Sequence, residues 1–300
     1  MVTKYDAREI RDVYERGENI MRWVNTREGV ADNSITAILY SYDMQAGSYV
    51  EQLRDPAVHE VKQRLGECLA AILDEIAPQS LLEAGTGEAT SLVPILNHMK
   101  TRPRHLLGFD LSLSRLLFAS RHLADNGHHG VALFTAALDG VPLATGSVDT
   151  VLTIHAVEPN HGHEKAILAE LLRVTRRHLV MVEPSYEFAS TEARARMERL
   201  GYVRGLPAIL EELGCPARRV ERFAFNTNPL NEAALIIVEK PTVGAFIAPS
   251  FVSPISGREL VKRDDCWHCP GDGHAFPVIA GIPCLTLENA ILVSKLDQIK

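Results

Sequence analysis

The sequence contains no apolar run long enough to cross a bilayer, which needs about 20 consecutive apolar residues. Its first residues, MVTKYDAREIRDVYERGEN, are charged and contain no apolar segment like the core of a secretory signal peptide. Membrane association and export are therefore not expected, and we expect the protein to be cytoplasmic.

An excess of basic residues is also missing. Lys and Arg number 31 against 38 Asp and Glu, which gives a formal net charge of −7 over 300 residues. Proteins that bind nucleic acids usually present a basic face or stripe, so nucleic acid is not the expected partner. The five cysteines are an odd number without regular spacing, which indicates reduced thiols rather than a disulfide framework.

Three segments with different patterns follow one another along the chain. Residues 1–78 carry apolar residues at three-to-four spacing and predict a helical N-terminal cap. Residues 79–240 alternate apolar strand candidates with helical stretches. This alternation predicts an α/β fold with a mostly parallel, seven-stranded sheet and helices on both faces. Residues 241–300 begin in a linker, KPTVGAFIAPS (240–250), and predict a small C-terminal domain.

Seven apolar runs are the predicted strands. They occupy residues 80–84, 105–110, 131–136, 149–155, 178–184, 218–225 and 234–240. The last two runs have no long helix between them. We therefore expect them to form an antiparallel hairpin at the edge of the sheet.

In the stretch LLEAGTGEAT, residues 81–90, an apolar run leads to an acid near the end of the first predicted strand, and two glycines follow. Gly85 and Gly87 allow a ligand to approach the backbone, because glycine adopts conformations that a Cβ forbids. In an open α/β sheet, ligands bind beyond the carboxyl ends of the strands. Thr90 stands where the dinucleotide fingerprint G-x-G-x-x-G has its third glycine, and Glu83 would repel a pyrophosphate.

A cationic ligand suits the same residues better. S-adenosylmethionine carries a sulfonium and an ammonium group and no phosphate. Its ribose hydroxyls need an acceptor, and Asp110 stands at the end of the second predicted strand. The residues therefore favour S-adenosylmethionine over NAD, while a turn without any ligand remains the alternative.

Four consecutive segments carry a resemblance to a known family. They are EAGTGEA (83–89), GFDLSLSRLLFASRHL (108–123), ALDGVPLATGSVDTVLTIHAVE (137–158) and LLRVTRRHLVMVEP (171–184). In this order they resemble the motifs of class I S-adenosylmethionine-dependent methyltransferases, in particular the UbiE-like branch. Ala89 departs from the third alternate glycine that this family often has. The resemblance covers about residues 60–240 and implies a Rossmann-like fold and methyltransferase activity.

The resemblance also implies which residues contact the cofactor. They are Glu83, Gly85, Thr86, Gly87, Asp110, Leu111, Ala137, Leu138 and His155. The acid that contacts adenine in the family would fall at Ala137, which cannot make that contact. The neighbouring Ala136 and Leu138 are then expected to line the adenine pocket.

A polar segment, TIHAVEPNHGHEKA, follows the fourth predicted strand, where an acceptor would face the methyl group. A methyltransferase orients its acceptor and, where needed, removes a proton from it. Histidine is a suitable base because its pKa lies near neutrality, so His155 and His161 are the first catalytic candidates, together with Glu158. A polar loop without chemistry and a divalent metal site are the alternatives, and no metal is assigned.

Further residues are candidates for contacts with the acceptor. Tyr42 and Tyr49 resemble residues in the N-terminal lid of small-molecule methyltransferases, with aromatic packing between helices as the alternative. Asn160 lies in the polar segment, and Tyr186 follows the fifth predicted strand. FNTNPLNEA (225–233) places three asparagines between the last two strands, which is common in turns for local reasons.

The C-terminal segment contains half of a zinc-binding spacing. Cys266-x-x-Cys269 provides two thiols, whereas a structural zinc needs four ligands. Together with FPVIAGIP (276–283), this spacing resembles the Trm112-like zinc ribbon, in which an earlier C-P-x-C provides the other pair. Here Ser253-Pro254-Ile255-Ser256 stands at that place.

A degenerate, metal-free domain is therefore expected, and zinc binding is the less favoured alternative. The residues that could replace the missing ligands are His268, His274 and Cys284. Because Trm112-like proteins are partners of methyltransferases, the domain is expected to brace the catalytic domain or to mediate a homodimer.

The sequence thus predicts an S-adenosylmethionine-dependent methyltransferase that acts on an O or N atom of a small-molecule metabolite. Two alternatives remain open at this point. The first is an RNA or protein methyltransferase that uses the C-terminal domain for docking. The second is a regulator that binds S-adenosylmethionine without catalysis.

Overall fold

The computed structural model of the protein describes residues 4–225, 228, 230–241 and 244–298. Part of the asparagine-containing turn, including Asn226, and part of the linker at 240–250 therefore lie outside the described residues. Within the described ranges, no helix has both the length and the apolar character needed to cross a membrane.

Five helices precede the sheet. They are α1 (Ala7–Glu15), α2 (Ile20–Glu28), α3 (Ile35–Met44), α4 (Ser48–Gln52) and α5 (Pro56–Ile76). The first three pack together through a small apolar cluster that includes Ile10, Val24 and Ala37. Helix α5 instead joins the core of the sheet through Leu69 and Leu73.

The sheet has seven strands with helices between them. The strands are β1 (Ser80–Ala84), β2 (His105–Asp110), β3 (Val131–Thr135), β4 (Val148–Ile154), β5 (Thr175–Pro184), β6 (Arg219–Phe223) and β7 (Ala233–Glu239). The intervening helices are α6 (Leu92–His98), α7 (Leu113–Asp125), α8 (Glu164–Val174), α9 (Thr191–Leu200) and α10 (Leu206–Glu212). The strand order is β3-β2-β1-β4-β5-β7-β6.

The pairing confirms the predicted mostly parallel, Rossmann-like sheet. Strands β1 to β5 pair in parallel, while β7 runs antiparallel to both β5 and β6. The predicted hairpin at the sheet edge is thus confirmed. Leu81 and Leu82 are both fully buried and belong to two different apolar clusters, because successive side chains of a strand point to opposite faces.

The strand order reverses at β1, which pairs with β2 on one side and β4 on the other. The connections from β1 and β4 therefore leave the sheet in different directions. A crevice forms at such a switch point, outside the carboxyl ends of the strands. The end of β1 carries Glu83, and the residue that follows β4 is His155.

The C-terminal segment forms a second, antiparallel sheet. Its strands are β8 (Val261–Lys262), β9 (Cys266–Cys269), β10 (His274–Ile279), β11 (Ile282–Pro283) and β12 (Ile291–Leu292). It packs beside β3, since the ring of Phe251 lies edge-on to those of Phe134 and Trp267, with centroid distances of 5.0 and 4.8 Å. The segment is thus a separate sheet whose core is continuous with that of the main domain.

A network of polar side chains occupies the region of the serine-containing turn. The hydroxyl of Ser256 donates to the Asp272 carboxylate at 2.6 Å and lies 3.9 Å from the Cys269 sulfur. Burial raises the pKa of Asp272, but hydrogen bonds from Ser253 and Ser256 together lower it well below its usual value. The turn is therefore held by a carboxylate.

The alternative zinc ligands lie near groups other than a shared metal position. The ring of His268 lies 3.4 Å from Asp297, that of His274 lies 3.4 Å from Asp272, and the Cys284 thiol donates to the carbonyl of Ile282. Over the described ranges, no group of three or more His, Cys, Asp and Glu side chains is arranged to hold a metal ion.

Candidate active site

A cavity of about 680 Å³ lies at the carboxyl edge of the sheet, covered by residues of α3, α4 and α5. This volume is within the usual range for small-molecule sites. The sequence-predicted residues that line it are Glu83, Gly85, Thr86, Gly87, Asp110, Leu111, Ala137, Leu138, His155, Glu158, Asn160, Tyr42 and Tyr49. The fold thus brings most of the predicted residues together in one place.

Two of the predicted residues are not among those that line this cavity. The Nδ1 atom of His161 lies 2.8 Å from a carboxylate oxygen of Glu164, at the start of α8. The Tyr186 hydroxyl donates to Glu198 of α9 at 2.7 Å. The structure therefore gives these two residues local partners on the surface and no place in the cavity.

The two glycines of the first turn are required by close contacts. Gly85 has a φ of 70°, and a Cβ at this position would lie 2.4 Å from the Cβ of Ala156. Gly87 has a φ of 56°, and its Cβ would lie 2.4 Å from a guanidinium nitrogen of Arg115. Both residues thus allow the turn to pack directly against the segment after β4 and against α7.

One backbone amide of this turn and one amide after β2 are bonded to the same carboxylate, that of Asp110. The Gly87 amide donates to one oxygen of Asp110, and the Ser112 amide donates to the other, each at 2.9 Å. A pyrophosphate needs such amides free at the start of a helix. The Gly87 amide is thus used by a carboxylate and is not free for a pyrophosphate, which agrees with the sequence-based preference against NAD.

Glu83 and Lys62 both line the cavity, and the charge of each affects the pKa of the other. Glu83 is buried, its carboxylate accepts a hydrogen bond from Thr86, and burial raises its pKa to about 7. Lys62 of α5 donates to the Ser91 hydroxyl at 2.8 Å, and burial lowers its pKa to about 8 against the attraction of Glu83. Such shifts mark candidate functional groups.

Sequence reasoning missed Lys62, although a signal was present. Leu65, Leu69 and Leu73 repeat at helical spacing and are buried on one face of α5. Lys62 precedes Leu65 by three residues and so falls on the same face. A lysine in an otherwise apolar stripe is uncommon, because burying an ammonium group without a partner is costly.

Arg115 is a second buried cation that the sequence did not reveal. Its guanidinium lies over the rings of Tyr42 and Tyr49, at 5.2 and 4.6 Å from their centroids. Asp110 and Glu88 carboxylate oxygens lie 3.8 and 3.9 Å from it. Its Nε is buried and donates to no described residue. The two tyrosines therefore pack on a charged group at the cavity wall.

His155 and Glu158 form the most closely paired acid and base in the cavity. The Nδ1 atom of His155 lies 2.9 Å from Oε2 of Glu158. Burial lowers the pKa of His155, but the hydrogen bond and charge of Glu158 raise it above its ordinary value overall. Burial likewise raises the pKa of Glu158, and the hydrogen bond from His155 leads the effects that lower it overall.

The conformation of this segment is set by a buried carboxylate that sequence reasoning missed. Glu183, at the end of β5, accepts hydrogen bonds from the amides of Ala156, Val157 and Glu158 at 3.1 to 3.2 Å. His155 itself has a φ of 52°, which is uncommon for a residue with a side chain. Glu183 therefore holds the turn that presents His155 and Glu158.

The N-terminal helices are tied to the sheet by side chains around the cavity. Glu88 accepts hydrogen bonds from the amides of Gly47 and Val50, at 3.0 and 2.8 Å, at the start of α4. The Ser112 hydroxyl donates to Asp43 of α3 at 2.6 Å. These contacts hold the helices over the carboxyl edge of the sheet and enclose the cavity.

Comparisons with known proteins were made for the whole chain. No protein-family model matches it, and no curated protein matches it. Magnesium protoporphyrin IX methyltransferase from Synechocystis PCC 6803 is similar in structure at 14% identity, over 79% of this chain and 100% of that chain, with a TM-score of 0.48.

Two further solved structures show weaker similarity. Geranyl diphosphate C-methyltransferase from Streptomyces coelicolor A3(2) matches at 11% identity, over 54% of this chain and 72% of that chain, with a TM-score of 0.43. A SAM-dependent methyltransferase from Aquifex aeolicus matches at 16% identity, over 53% and 81% of the two chains, with a TM-score of 0.39. All three scores lie below 0.5.

The residues of the cavity indicate which chemical groups it can bind. Its wall includes Glu83 and Lys62, which can hold an ammonium and a carboxylate group. Asp110 keeps lone pairs for further donors, because a carboxylate has about four acceptor sites and two are used by amides. The His155–Glu158 pair provides a group that can take up a proton.

Proposed function

We propose that this protein is an S-adenosylmethionine-dependent methyltransferase that transfers a methyl group to an O or N atom of a small-molecule acceptor. The observation that carries this proposal is the arrangement at the ends of two neighbouring strands. Glu83 is the last residue but one of β1, Asp110 ends β2, and both line one cavity together with Lys62. This pattern matches a ligand that has an amino-acid group followed by a ribose.

The residues present fit this cofactor group by group. Glu83 would bind the ammonium group of the amino acid, and Lys62 would bind its carboxylate. Asp110 would accept hydrogen bonds from the ribose hydroxyls. When bound, S-adenosylmethionine provides a methyl group that the sulfonium already activates. The acidic environment near Glu83 and Asp110 suits a positively charged ligand and disfavours a nucleotide phosphate.

His155 is the proposed general base. Glu158 accepts the Nδ1 proton at 2.9 Å, which leaves Nε2 able to accept a proton from the acceptor. About a quarter of the His155 side chain is exposed, and the residue lines the cavity. The amide of Asn231 also donates to Glu158, at 3.0 Å, and so helps to hold the carboxylate in place.

The enclosure of the site favours a small acceptor. The cavity is covered by N-terminal helices that Glu88 and Asp43 tie to the main domain. A macromolecular acceptor would require an open approach, and RNA would also require a basic surface. The net charge of −7 does not favour the basic surface that RNA would require.

Calorimetric titration tests the cofactor assignment. Micromolar binding of S-adenosylmethionine and no binding of NAD are expected, and Asp110→Asn should weaken the former by about tenfold or more, roughly 1.4 kcal/mol. Asp125→Asn, at an exposed carboxylate at the end of α7, is the matched control. Tight binding of NAD, or loss of S-adenosylmethionine binding in the control alone, would overturn the assignment.

A metabolite screen with labelled S-adenosylmethionine tests the enzymatic part. Transfer of label to a small acceptor is expected, and it should be lost in His155→Gln while cofactor binding is retained. Binding without transfer to any metabolite class would instead favour the non-catalytic regulator.

A further inference from the structure

Two parts of the C-terminal segment border the same cavity as the cofactor residues. Cys284 pairs in parallel with Thr135 at the end of β3. The Leu285 amide donates to the carbonyl and hydroxyl oxygens of Thr135 at 3.2 and 3.1 Å. The C-terminal residues that line the cavity are Pro254, Thr286, Leu287 and Glu288. The C-terminal chain thus continues past the end of β3 onto the carboxyl edge of the sheet.

The proposed function fixes the direction in which the ligand lies, and the following inference rests on it. Glu83 at the end of β1 matches the amino-acid group, and Asp110 at the end of β2 matches the ribose. Neighbouring strands are about 4.8 Å apart, and β3 is the next strand in this direction. Since the base follows the ribose in the ligand, the base lies at the carboxyl end of β3.

The main domain alone offers few polar contacts at this place. The residues directly after β3 are Ala136, Ala137 and Leu138, whose side chains have no hydrogen-bonding groups, and the exposed Asp139 follows them on the cavity wall. A buried base needs apolar walls and a few polar groups that fix its orientation. Leu287 is an apolar side chain on the cavity wall that is 58% exposed, and Glu288 follows it with an exposed carboxylate.

We propose that the C-terminal domain forms one wall of the nucleobase site. Leu287 packs against the face of the base, and Glu288 accepts a hydrogen bond from its exocyclic amine. The domain is thereby a part of the cofactor site. This role requires no zinc, because Asp272 holds the turn at 253–256, and Pro254 of that turn lines the same cavity.

The test compares two ligands that differ at the exocyclic group. S-adenosylhomocysteine has an amine there, and S-inosylhomocysteine has a carbonyl oxygen, which a carboxylate repels. Calorimetry on the full chain should show that the wild type prefers the adenine form by about tenfold or more, since a site built to bond an amine rejects its analogue. Glu288→Gln should lose most of this preference, because an amide can donate to the carbonyl oxygen.

Three further variants sharpen the comparison. Leu287→Ser should weaken both ligands by a similar factor without changing the preference. Glu259→Gln, at an exposed C-terminal carboxylate that is not among the cavity-lining residues, should match the wild type. Asp139→Asn should keep the preference, although Asp139 also lines the cavity.

The outcomes separate this inference from the proposed function. An unchanged preference in Glu288→Gln, or loss of the preference in Asp139→Asn instead, would overturn the inference alone. Failure of the wild type to bind S-adenosylhomocysteine would overturn the proposed function and this inference together.

Discussion

The Nδ1 atom of His155 lies 2.9 Å from Oε2 of Glu158, on the wall of the cavity at the carboxyl edge of the sheet. The two residues come from one short turn, which Glu183 holds by three backbone amides. A histidine with its Nδ1 proton held in this way presents Nε2 as an acceptor. The pair therefore connects the geometry of the turn to the proposed proton transfer.

The first prediction concerns the pH dependence of activity. The net effect of Glu158 raises the pKa of His155 above 6.5, and a base acts only when deprotonated. Activity should therefore be low below this pKa and increase as the pH rises through it. Glu158→Gln should move the midpoint to lower pH and reduce the plateau, because the imidazole loses its charge partner and its orientation.

Rates measured across pH 5 to 9 check this prediction once the acceptor is known. His155→Gln should lower kcat by roughly 10² or more, the usual range for general bases. His161→Gln, which removes the other histidine paired with a glutamate, should leave kcat close to the wild-type value. A large loss in the His161 variant and none in the His155 variant would show that the wrong histidine is assigned.

The second prediction concerns Lys62. Replacement by Met keeps most of the length of the side chain but removes the ammonium group that the proposal assigns to the cofactor carboxylate. Binding of S-adenosylmethionine should weaken by roughly tenfold, as expected for one lost charge-assisted hydrogen bond. Decarboxylated S-adenosylmethionine, which lacks that carboxylate, should bind both proteins about equally.

The control for Lys62 is Lys165→Met, which removes an exposed lysine that pairs with Glu212 on the surface. Its calorimetric binding curve should match that of the wild type. If Lys62→Met weakened both forms of the cofactor equally, the carboxylate contact would be the wrong assignment.

The third prediction concerns stability and Glu83. Burial raises the pKa of this carboxyl to about 7 from an ordinary value of 4.5, so the folded state holds the proton more tightly than the unfolded chain. The resulting stability is fully present below pH 4.5 and is lost as the pH rises through 7. Glu83→Gln, which cannot ionise, should therefore be more stable than the wild type at pH 8, by about 3 kcal/mol at most.

Urea denaturation at pH 5 and pH 8 measures this difference. Burial also raises the pKa of Glu183 to about 7. The stability of the Glu83→Gln variant should therefore still depend on pH, but less than that of the wild type. Glu60→Gln, at an exposed position of α5, is the control. Glu83→Gln should also lose binding of S-adenosylmethionine. If Glu83→Gln and the wild type differed in stability by the same amount at pH 5 and pH 8, the burial argument would be contradicted.

The sequence predicted those parts of the site that lie at strand ends. Glu83 and Asp110 each end an apolar run, and the carboxyl ends of parallel strands meet at one edge of the sheet. Their positions along the chain therefore determined their positions in space. The same reasoning placed His155 beside them, because it directly follows β4.

Residues that reach the cavity through packing were not predictable in this way. Lys62 and Arg115 belong to helices, and their positions depend on how α5 and α7 pack on the sheet. Glu288 belongs to the C-terminal segment, and only the pairing of Cys284 with Thr135 brings it to the cavity. The apolar stripe of α5 marks Lys62 as unusual, but contacts between distant parts of the chain leave no local signal of where in space such a residue lies.

The fourth prediction concerns Gly85, with Gly17 as a matched control. Both have a φ of 70°, but a Cβ at Gly17 has no atom within 4 Å, whereas one at Gly85 lies 2.4 Å from Ala156. Alanine at either position should cost about 1–2 kcal/mol from the backbone conformation. Gly85→Ala should cost about 1–3 kcal/mol more through overpacking, measured by urea denaturation. Equal losses in the two variants would contradict the contact.

The fifth prediction concerns the C-terminal domain and metal removal. The Asp272 carboxylate, which accepts from Ser253 and Ser256, holds a turn where the resembling zinc ribbon would place cysteines. The melting temperature should therefore be unchanged by a chelator. Asp272→Ala should lower the free energy of unfolding by about 1–3 kcal/mol, because two hydroxyl groups lose their acceptor.

Thermal unfolding with and without EDTA, together with metal analysis of the purified protein, separates the two possibilities. Asp264→Ala removes an exposed carboxylate of the same domain and should leave the melting temperature unchanged. Stoichiometric zinc in the protein, with a lower melting temperature after chelation, would show that metal rather than Asp272 stabilises the turn. Because Pro254 of this turn lines the cavity, Asp272→Ala should also weaken binding of S-adenosylhomocysteine.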